Sequence, residues 1–148
     1  LYRIYDHHAE FAKQPTFNPL DGVSGLYAGG RWHERGHPIL YTSSSAALAL
    51  AEMLCHVPAT LFGERTLLTL EISDKLSLEE VTYPVVVQFL RNEALGDTNT
   101  TTRSYGTRWL SEARSVVLRV PSVALPFEHN YLLNPKNPSF NAKVISKQ

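Results

Sequence analysis

Three side chains in the first part of the chain are suited to hold and polarise an anionic ligand. Arg31 follows two glycines, which permit close backbone approach, and an arginine fork can grip a phosphate through two parallel hydrogen bonds. Tyr41 ends a short apolar run and offers a ring for stacking and a hydroxyl for hydrogen bonding. Glu52 follows an apolar run over 46–51, so a helix here leaves its carboxylate at least partly buried.

Two further residues extend this set. Arg3 is a charge inside an apolar first strand, where it either faces a cleft or forms a structural salt bridge. Ser122 follows a proline at a strand end, where a serine either points into a pocket or caps a turn. A fixed cation, an aromatic ring and a semi-buried acid suit a flat, anionic ligand with a cationic ring. Nicotinamide dinucleotide has all three properties, and we expect a site for it.

Structural explanations remain open for the first three residues as well. Arg31 can be a solvated loop arginine, and Tyr41 can be a tyrosine of the core. Glu52 can lie near the surface at a helix end, or it can pair with His56 one turn later. Residue types and spacing alone do not choose between these roles.

The histidines do not form a convincing metal site. His33 and His37 are four positions apart, but a glycine and a proline nearby break any helix that would place them on one face. Cys55 and His56 are neighbours, which point apart on a helix, so we expect Cys55 in the core rather than as a nucleophile. We predict that no metal takes part.

The elements that must position these residues are short. Apolar runs and alternating patterns predict extended segments, which lie at residues 1–5, 38–42, 66–73, 115–120, 130–133 and, as an edge strand, 140–145. Three serines, 43–45, are ready N-caps for a helix that reaches about His56. Residues 81–93 suit either a buried strand or a short helix. The polar segment 96–104 is expected to be a mobile surface loop, and 107–113 a short helix capped by Thr107.

This pattern predicts an α+β fold in a single domain, 1–148, because short strands mix with a few helices without a regular βαβ rhythm. The sequence has no glycine-rich dinucleotide fingerprint and no Walker A lysine, so side chains must hold any nucleotide. Fourteen basic residues balance fourteen acidic ones, which argues against direct nucleic-acid binding. A single cysteine fits a cytoplasmic protein, and no apolar run has the length of a membrane span.

Several motifs, in this order, resemble the RES domain, the toxin half of bacterial RES–Xre toxin–antitoxin pairs. The matching motifs are Tyr2-Arg3-Ile4, Gly29-Gly30-Arg31-Trp32, Gly36, Pro38, Tyr41, the run 47–51 with Glu52, Gly106 with Trp109-Leu110, Val120-Pro121-Ser122 and the segment 128–135. The resemblance covers essentially the whole chain, and the combination of GGRW, VPS and NYLLNP is specific. One departure is His33, where relatives usually have asparagine after GGRW.

The resemblance implies a fold similar to the ADP-ribosyltransferase toxins and an enzyme that cleaves the nicotinamide–ribose bond of NAD by hydrolysis or phosphorolysis. Some relatives instead transfer ADP-ribose to a protein. It implies that Glu52, Arg31 and Tyr41 are catalytic, and that Arg3 and Ser122 join Arg31 and Tyr41 in binding NAD. A non-catalytic binding domain is the remaining alternative, which the retention of all three catalytic residues opposes.

The resemblance also implies partners. A cognate Xre-type antitoxin is expected to cover the active site. We further expect a homodimer or a larger hetero-oligomer with the antitoxin, and no contact with nucleic acid or membrane by this chain.

Overall fold

One mixed sheet of seven strands is found in the described part of the chain, residues 1–6, 8–58, 63–125 and 127–148 of a computed structural model. The strands are β1 (Tyr2–Tyr5), β2 (Leu40–Ser43), β3 (Thr66–Ile72), β4 (Leu78–Glu80), β5 (Val117–Pro121), β6 (His129–Leu133) and β7 (Ala142–Lys147). They pair in the order β4-β5-β6-β2-β1-β3-β7. Within the sheet only β4 and β5 run parallel, and every other neighbouring pair is antiparallel.

Four α-helices are found over the same described residues: α1 (Ser24–Tyr27), α2 (Ala46–Leu54), α3 (Tyr83–Ala94) and α4 (Thr102–Glu112). The same ranges also contain two 3-10 turns, Glu10–Lys13 and Thr98–Thr100. Helices and strands are not organised as repeated βαβ units, and the predicted α+β class is confirmed. None of these helices has the length and apolar character that crossing a membrane requires.

The register of the central strands brings distant parts of the chain onto one face. Ser43 of β2 lies opposite Asn130 of β6, and Asn130 lies opposite Val120 of β5. Tyr2 of β1 pairs with Ser43 from the other side. Because residues directly opposite one another in antiparallel strands share a face of the sheet, Ser43, Asn130 and Val120 are side-by-side neighbours.

Helix α2 follows β2 directly and begins as its serines predict. The Ser45 side chain accepts a hydrogen bond from the Leu48 backbone N–H, so it is the N-cap. Leu48 and Ala49 form the buried face of the helix. The helix ends at Leu54, and Cys55 is its C-cap. The expectation of a core Cys55 is wrong, because the residue lies beyond the buried turns and is exposed.

The segment around α4 differs most from expectation. The expectation of a loop over residues 96–104 is wrong for most of the segment: residues 96–98 are exposed, but a 3-10 turn follows, Thr101 and Thr102 are buried, and α4 begins at Thr102. Helix α4 begins at Thr102 rather than Thr107, because Thr101 is the N-cap and accepts a hydrogen bond from the Ser104 N–H. A threonine-rich composition is typical of loops, but here the hydroxyls cap and anchor a helix. The ambiguous segment 81–93 forms the helix α3 rather than a strand.

Helix α4 packs against the loop that carries the Gly-Gly-Arg-Trp motif. Trp109 is fully buried and its indole N–H donates to Ser115 Oγ at 2.8 Å. Trp32 is 3% exposed and belongs to the same core cluster as Trp109. At Gly106 the helix comes so close to the loop that an added Cβ would lie 1.9 Å from the Trp32 carbonyl oxygen. The position of this loop therefore depends on a glycine in the helix.

We predict that Gly106→Ala destabilises the protein. Alanine ordinarily stabilises a helix by about 1 kcal/mol relative to glycine, but here its methyl group must push the helix away from the Trp32 backbone. The expected net loss in the free energy of unfolding is about 1–3 kcal/mol, measured by urea denaturation. Arg108→Ala, on the exposed side of the same helix, is the control and is expected to change little. A more stable Gly106→Ala variant would show that the contact is not tight.

Candidate functional site

The Gly-Gly-Arg-Trp loop holds its arginine by the backbone and leaves the side chain in solvent. The Gly30 N–H donates to the His33 carbonyl at 3.0 Å, which closes the loop, and Thr102 Oγ1 of α4 donates to the Arg31 carbonyl at 2.8 Å. An added Cβ on Gly30 would lie 2.6 Å from the Tyr41 hydroxyl oxygen, so this position requires glycine. The Arg31 side chain is exposed between the buried Trp32 and the glycines.

Tyr41 of β2 lies beneath this loop. Its hydroxyl oxygen is 3.1 Å from the Trp32 backbone N–H, which donates to it, and 2.9 Å from His33 Nδ1. Burial raises the pKa of the Tyr41 hydroxyl, so the phenol stays protonated at neutral pH. The Tyr41 side chain is half-buried and packs against the core cluster that contains Trp32.

Arg3 of β1 supplies a second cation close to Tyr41. Its Nη1 donates to the Tyr41 carbonyl at 3.2 Å, while its Nε is buried and has no hydrogen-bond partner among the described residues. Burial lowers the Arg3 pKa to about 10, partly offset by the charge of Asp21, so the guanidinium remains charged at neutral pH. Neither Arg3 nor Arg31 has an ion pair within the ranges that the structure describes.

Glu52 projects from α2 and is held by one oxygen. Ser122 Oγ donates to Glu52 Oε1 at 2.7 Å, and Asn130 Nδ2 donates to the same oxygen at 2.5 Å. Ser43 Oγ donates to Asn130 Oδ1 at 2.7 Å, which orients the amide so that its nitrogen faces the carboxylate. No protein group in the described ranges donates to Glu52 Oε2. The carboxylate is therefore fixed through Oε1, and Oε2 is left for another partner.

A single cavity of about 490 Å³ brings four of the five predicted residues together, since its lining includes Arg3, Arg31, Tyr41 and Glu52. Ligand sites for small molecules typically have volumes of about 300–1,000 Å³. The lining therefore includes two arginines and a hydrogen-bonded carboxylate. This combination can hold an anionic ligand and place negative charge against a group that becomes positive.

Ser122 occupies a different place from the other four predicted residues. It is buried, and its hydroxyl donates to Glu52 while it accepts from the Leu125 backbone N–H at 2.9 Å. The sequence predicted that Ser122 contacts the ligand. In the structure its hydroxyl is hydrogen-bonded to Glu52 and it is not part of the cavity lining, and a contact with the ligand stays a prediction.

The open alternatives for Glu52 are also decided by these contacts. It is half-buried rather than at the helix surface, and its hydrogen-bond partners are Ser122 and Asn130 rather than His56. His56 is exposed and lines the cavity.

Sequence reasoning gave no role at the site to Asn130 or Ser43, and it noted His33 only as a departure from the family pattern. Asn130 and Ser43 orient Glu52, and His33, which is 3% exposed, contacts the Tyr41 hydroxyl. The sequence predicts Ser43 as one of three possible helix caps, but Ser45 caps α2 and Ser43 donates a hydrogen bond to Asn130. A signal for Asn130 did exist, because it is a polar residue at the start of an apolar strand. Its partner lies 78 positions away and has no trace in the local sequence.

A metal centre finds no geometric support in the described residues. No group of three or more histidine, cysteine, aspartate or glutamate side chains is placed there to hold a metal ion. His33 Nε2 instead faces the Ala28 carbonyl at 3.1 Å. That the chemistry proceeds without a metal stays a prediction.

With this geometry in view, comparison with known proteins decides the family. The RES domain family matches residues 1–148. The chain belongs to the RES family. The toxin Res of Yersinia enterocolitica is 36% identical over 123 residues, which cover 81% of this chain and 77% of that protein. The toxin Res of Pseudomonas putida is 32% identical over 133 residues, covering 88% and 87%. The resemblance to RES toxins drawn from the sequence motifs is confirmed.

Two further proteins are similar to this RES domain, one in sequence and one in fold. A Sphingobium protein named Prs ADP-ribosylating toxin is 37% identical, over 80% of this chain and 74% of that one. A chain of the M. tuberculosis MbcT–MbcA toxin–antitoxin complex superposes with a TM-score of 0.72, covering 99% of this RES domain and 81% of its own length. Their sequence identity is 17%, so this second likeness concerns the fold alone.

We predict that Asn130→Asp destabilises this RES domain in a pH-dependent way. The substitution replaces a donor with a second carboxylate beside Glu52, and two like charges at this distance cannot both ionise without cost. At about pH 7.5 the expected loss is about 1–3 kcal/mol, and it shrinks toward about pH 5, where one carboxyl takes up a proton.

The measurement is urea denaturation at both pH values. Asn141→Asp, at an exposed position, is the matched control. Equal stability of the two variants near neutral pH would contradict the contact between Asn130 and Glu52.

Proposed function

We propose that this RES domain is the toxin of a toxin–antitoxin pair and that it cleaves the nicotinamide–ribose bond of NAD, depleting the cell of that dinucleotide. The observation that carries the proposal is the position of Glu52, whose carboxylate is fixed through one oxygen in the same cavity as two arginines that have no ion pair among the described residues. The names of the relatives, toxin Res and Prs ADP-ribosylating toxin, support it.

Cleavage breaks the bond between C1′ of the nicotinamide ribose and the ring nitrogen of nicotinamide. The electron pair of that bond goes to the nitrogen, which loses its positive charge, so nicotinamide is a good leaving group. C1′ then carries positive character, as in glycoside cleavage. Water adds to C1′ and releases a proton, giving ADP-ribose; phosphate as the acceptor gives ADP-ribose 1″-phosphate.

Glu52 supplies the negative charge that the developing sugar cation needs. Its Oε1 is occupied by Ser122 and Asn130, which leaves Oε2 as the oxygen that we assign to the sugar, next to C1′ and the 2′-hydroxyl. Because these donors hold the carboxylate before the substrate arrives, little reorganisation is needed as charge develops, which is the condition for strong electrostatic catalysis.

Arg31 and Arg3 bind the pyrophosphate in this proposal. The Arg31 side chain is exposed at the cavity, on a backbone anchored by α4, and its planar fork matches two phosphate oxygens. Arg3 keeps its charge in a buried position and has a donor, Nε, without a protein partner in the described chain. Tyr41 presents its ring to the nicotinamide or the adjacent ribose.

A second candidate function is transfer of ADP-ribose to a specific protein. It is favoured by one relative, the Sphingobium protein named an ADP-ribosylating toxin, which is 37% identical to this chain. The same cavity, carboxylate and sugar cation serve both reactions, and only the acceptor differs. The two proposals are therefore separated by the product and not by the site.

The partner follows from the toxin proposal. A cognate antitoxin of the Xre type is expected to cover the cavity in the cytoplasm, with a homodimer or a larger hetero-oligomer as the assembly. The fold shared with a chain of a toxin–antitoxin complex supports an antitoxin as the partner.

We predict that Glu52→Gln lowers the rate of nicotinamide release from NAD by at least about 100-fold. Glutamine keeps an oxygen that accepts from Ser122 and Asn130, so the variant removes the charge and preserves the packing. Glu112→Gln, at an exposed position at the end of α4, is the matched control and is expected to act like wild type. Wild-type rates from Glu52→Gln would remove Glu52 from the mechanism.

NAD labelled in its adenine moiety separates the acceptors. Label in free ADP-ribose indicates water, label in a phosphorylated product that requires added phosphate indicates phosphorolysis, and label on a protein indicates transfer. If wild type releases no nicotinamide and labels no protein, the proposed function fails.

We predict that Arg31→Lys raises the KM for NAD by about tenfold, because lysine keeps the positive charge but cannot form the bidentate hydrogen bonds of arginine with the pyrophosphate. The control is Arg35→Lys, an exposed arginine of the same loop. An unchanged KM, measured by the initial rate of nicotinamide release, would move the phosphate contact to another residue.

A further inference from the structure

His33 is a buried histidine whose two ring nitrogens both have partners inside the protein. Its Nε2 lies 3.1 Å from the Ala28 carbonyl oxygen, and its Nδ1 lies 2.9 Å from the Tyr41 hydroxyl oxygen. The two rings are tilted, with centroids 5.5 Å apart. Added Cβ atoms on Gly25 and Gly30 would lie within about 3.1 Å of this imidazole, so two glycines make room for it.

These partners determine where the proton of the imidazole is. A carbonyl oxygen can only accept a hydrogen bond, so Nε2 carries hydrogen. Burial lowers the His33 pKa, and the nearby His37 and Arg103 lower it further against the opposing effect of the Ala28 carbonyl. The ring is therefore neutral at neutral pH, and Nδ1 is an acceptor.

The hydrogen bonds of Tyr41 follow from this tautomer. Its hydroxyl must donate to His33 Nδ1, because that nitrogen has no hydrogen of its own to give. The Trp32 backbone N–H donates to the same phenolic oxygen. The hydroxyl thus accepts one hydrogen bond within the protein and has no hydrogen left to donate to a ligand in the cavity, where the ring of Tyr41 remains for contact.

We propose that His33 is a positioning residue: by taking the hydroxyl proton of Tyr41, it directs that hydroxyl away from the cavity, so that Tyr41 meets the substrate through its ring alone. The wall formed by Tyr41 then recognises a flat ring by stacking and does not form a hydrogen bond with it. This inference rests on the proposed function for the identity of the substrate, but the arrangement of His33 and Tyr41 is testable without it.

The tautomer is tested on the wild-type protein by NMR of selectively ¹⁵N-labelled histidine. The ¹⁵N shifts and their couplings to ring protons distinguish a nitrogen that carries hydrogen from one that does not. We expect His33 to show Nε2 with hydrogen and Nδ1 without it near neutral pH. In Tyr41→Phe we expect the ¹⁵N chemical shift of Nδ1 to move toward the value of an unprotonated ring nitrogen that accepts no hydrogen bond. A hydrogen on Nδ1 in wild type would overturn the proposal, whatever the outcome of the NAD assay.

Kinetics test the consequence for the substrate. His33→Ala removes the acceptor and loosens the Tyr41 ring, so we expect the KM for NAD to rise by about tenfold with kcat within about twofold, the pattern of lost uniform binding. His33→Asn places a carbonyl oxygen two bonds from Cβ, where Nδ1 was, and is expected to restore most of the KM. His37→Asn, in the same loop, is the control.

A double-mutant cycle measures whether His33 and Tyr41 act through the same hydrogen bond. Tyr41→Phe keeps the ring and loses the same hydrogen bond as His33→Ala, so we expect the double variant to have a KM close to that of His33→Ala alone. Additive effects, or a fall in kcat of about 100-fold in Tyr41→Phe, would mean that the hydroxyl contacts the substrate and would overturn the proposal. If His33→Ala does not fold, the His33→Asn and Tyr41→Phe cycle with the NMR measurement decides.

Acidification provides a readout that does not depend on activity. The folded pKa of His33 lies below the ordinary value of 6.5, so its contribution to stability is present above that pH and is lost as pH falls through the folded pKa. The groups in contact with the ring are the Tyr41 hydroxyl of β2 and the Ala28 carbonyl, and the charges that act on its pKa are those of Arg103 of α4 and His37 of the loop. We expect the Tm of wild type to fall relative to that of His33→Asn between about pH 7.5 and about pH 5.5. A constant difference would mean that His33 is not buried in the neutral form.

Discussion

A carboxylate that is half-buried needs donors, and the site depends on how this fold supplies them to Glu52. Burying an unpaired carboxylate is costly, whereas charge-assisted hydrogen bonds to it are short and strong. The donors are Ser122, just beyond β5, and Asn130 of β6, which lie 70 and 78 positions along the chain from Glu52. The pairing of β5, β6 and β2 must therefore be complete before the carboxylate has its orientation. The strands thus provide donors for Oε1 of this carboxylate, and no protein group in the described ranges donates to Oε2.

The two arginines of the cavity are held by other elements than those that hold Glu52. Arg31 is carried by a loop with two glycines, and the loop is held by α4 through Thr102 and through the close approach at Gly106. Arg3 is held within the sheet by the Tyr41 carbonyl. The negative and positive groups that line the cavity are thus positioned by separate elements, and within the described residues they form no ion pair that would cancel both charges.

Much of the site could be predicted from the sequence. A charge that interrupts an apolar helix is rare, and so is an arginine that follows two glycines before a tryptophan; such exceptions to the ordinary pattern led to Glu52, Arg31 and Arg3. Tyr41 was recognised as a ring at the end of a strand. The prediction for segment 96–104 was wrong because a threonine-rich composition is common in loops, whereas a threonine at the right position caps a helix. Composition alone does not distinguish the two roles. Ser122 was recognised, but its partner was not.

By itself, the sequence determined the α+β class, the helix that carries Glu52, the order of motifs that places the chain in the RES family, and four residues that line the cavity. Only the tertiary structure decided which donors hold Glu52, why Asn130 and Ser43 matter, and which way the Tyr41 hydroxyl points. The physical reason is the range of the interactions. Helix caps and alternating strands are set by residues a few positions apart, whereas a hydrogen bond across a sheet joins residues whose proximity depends on strand order and register.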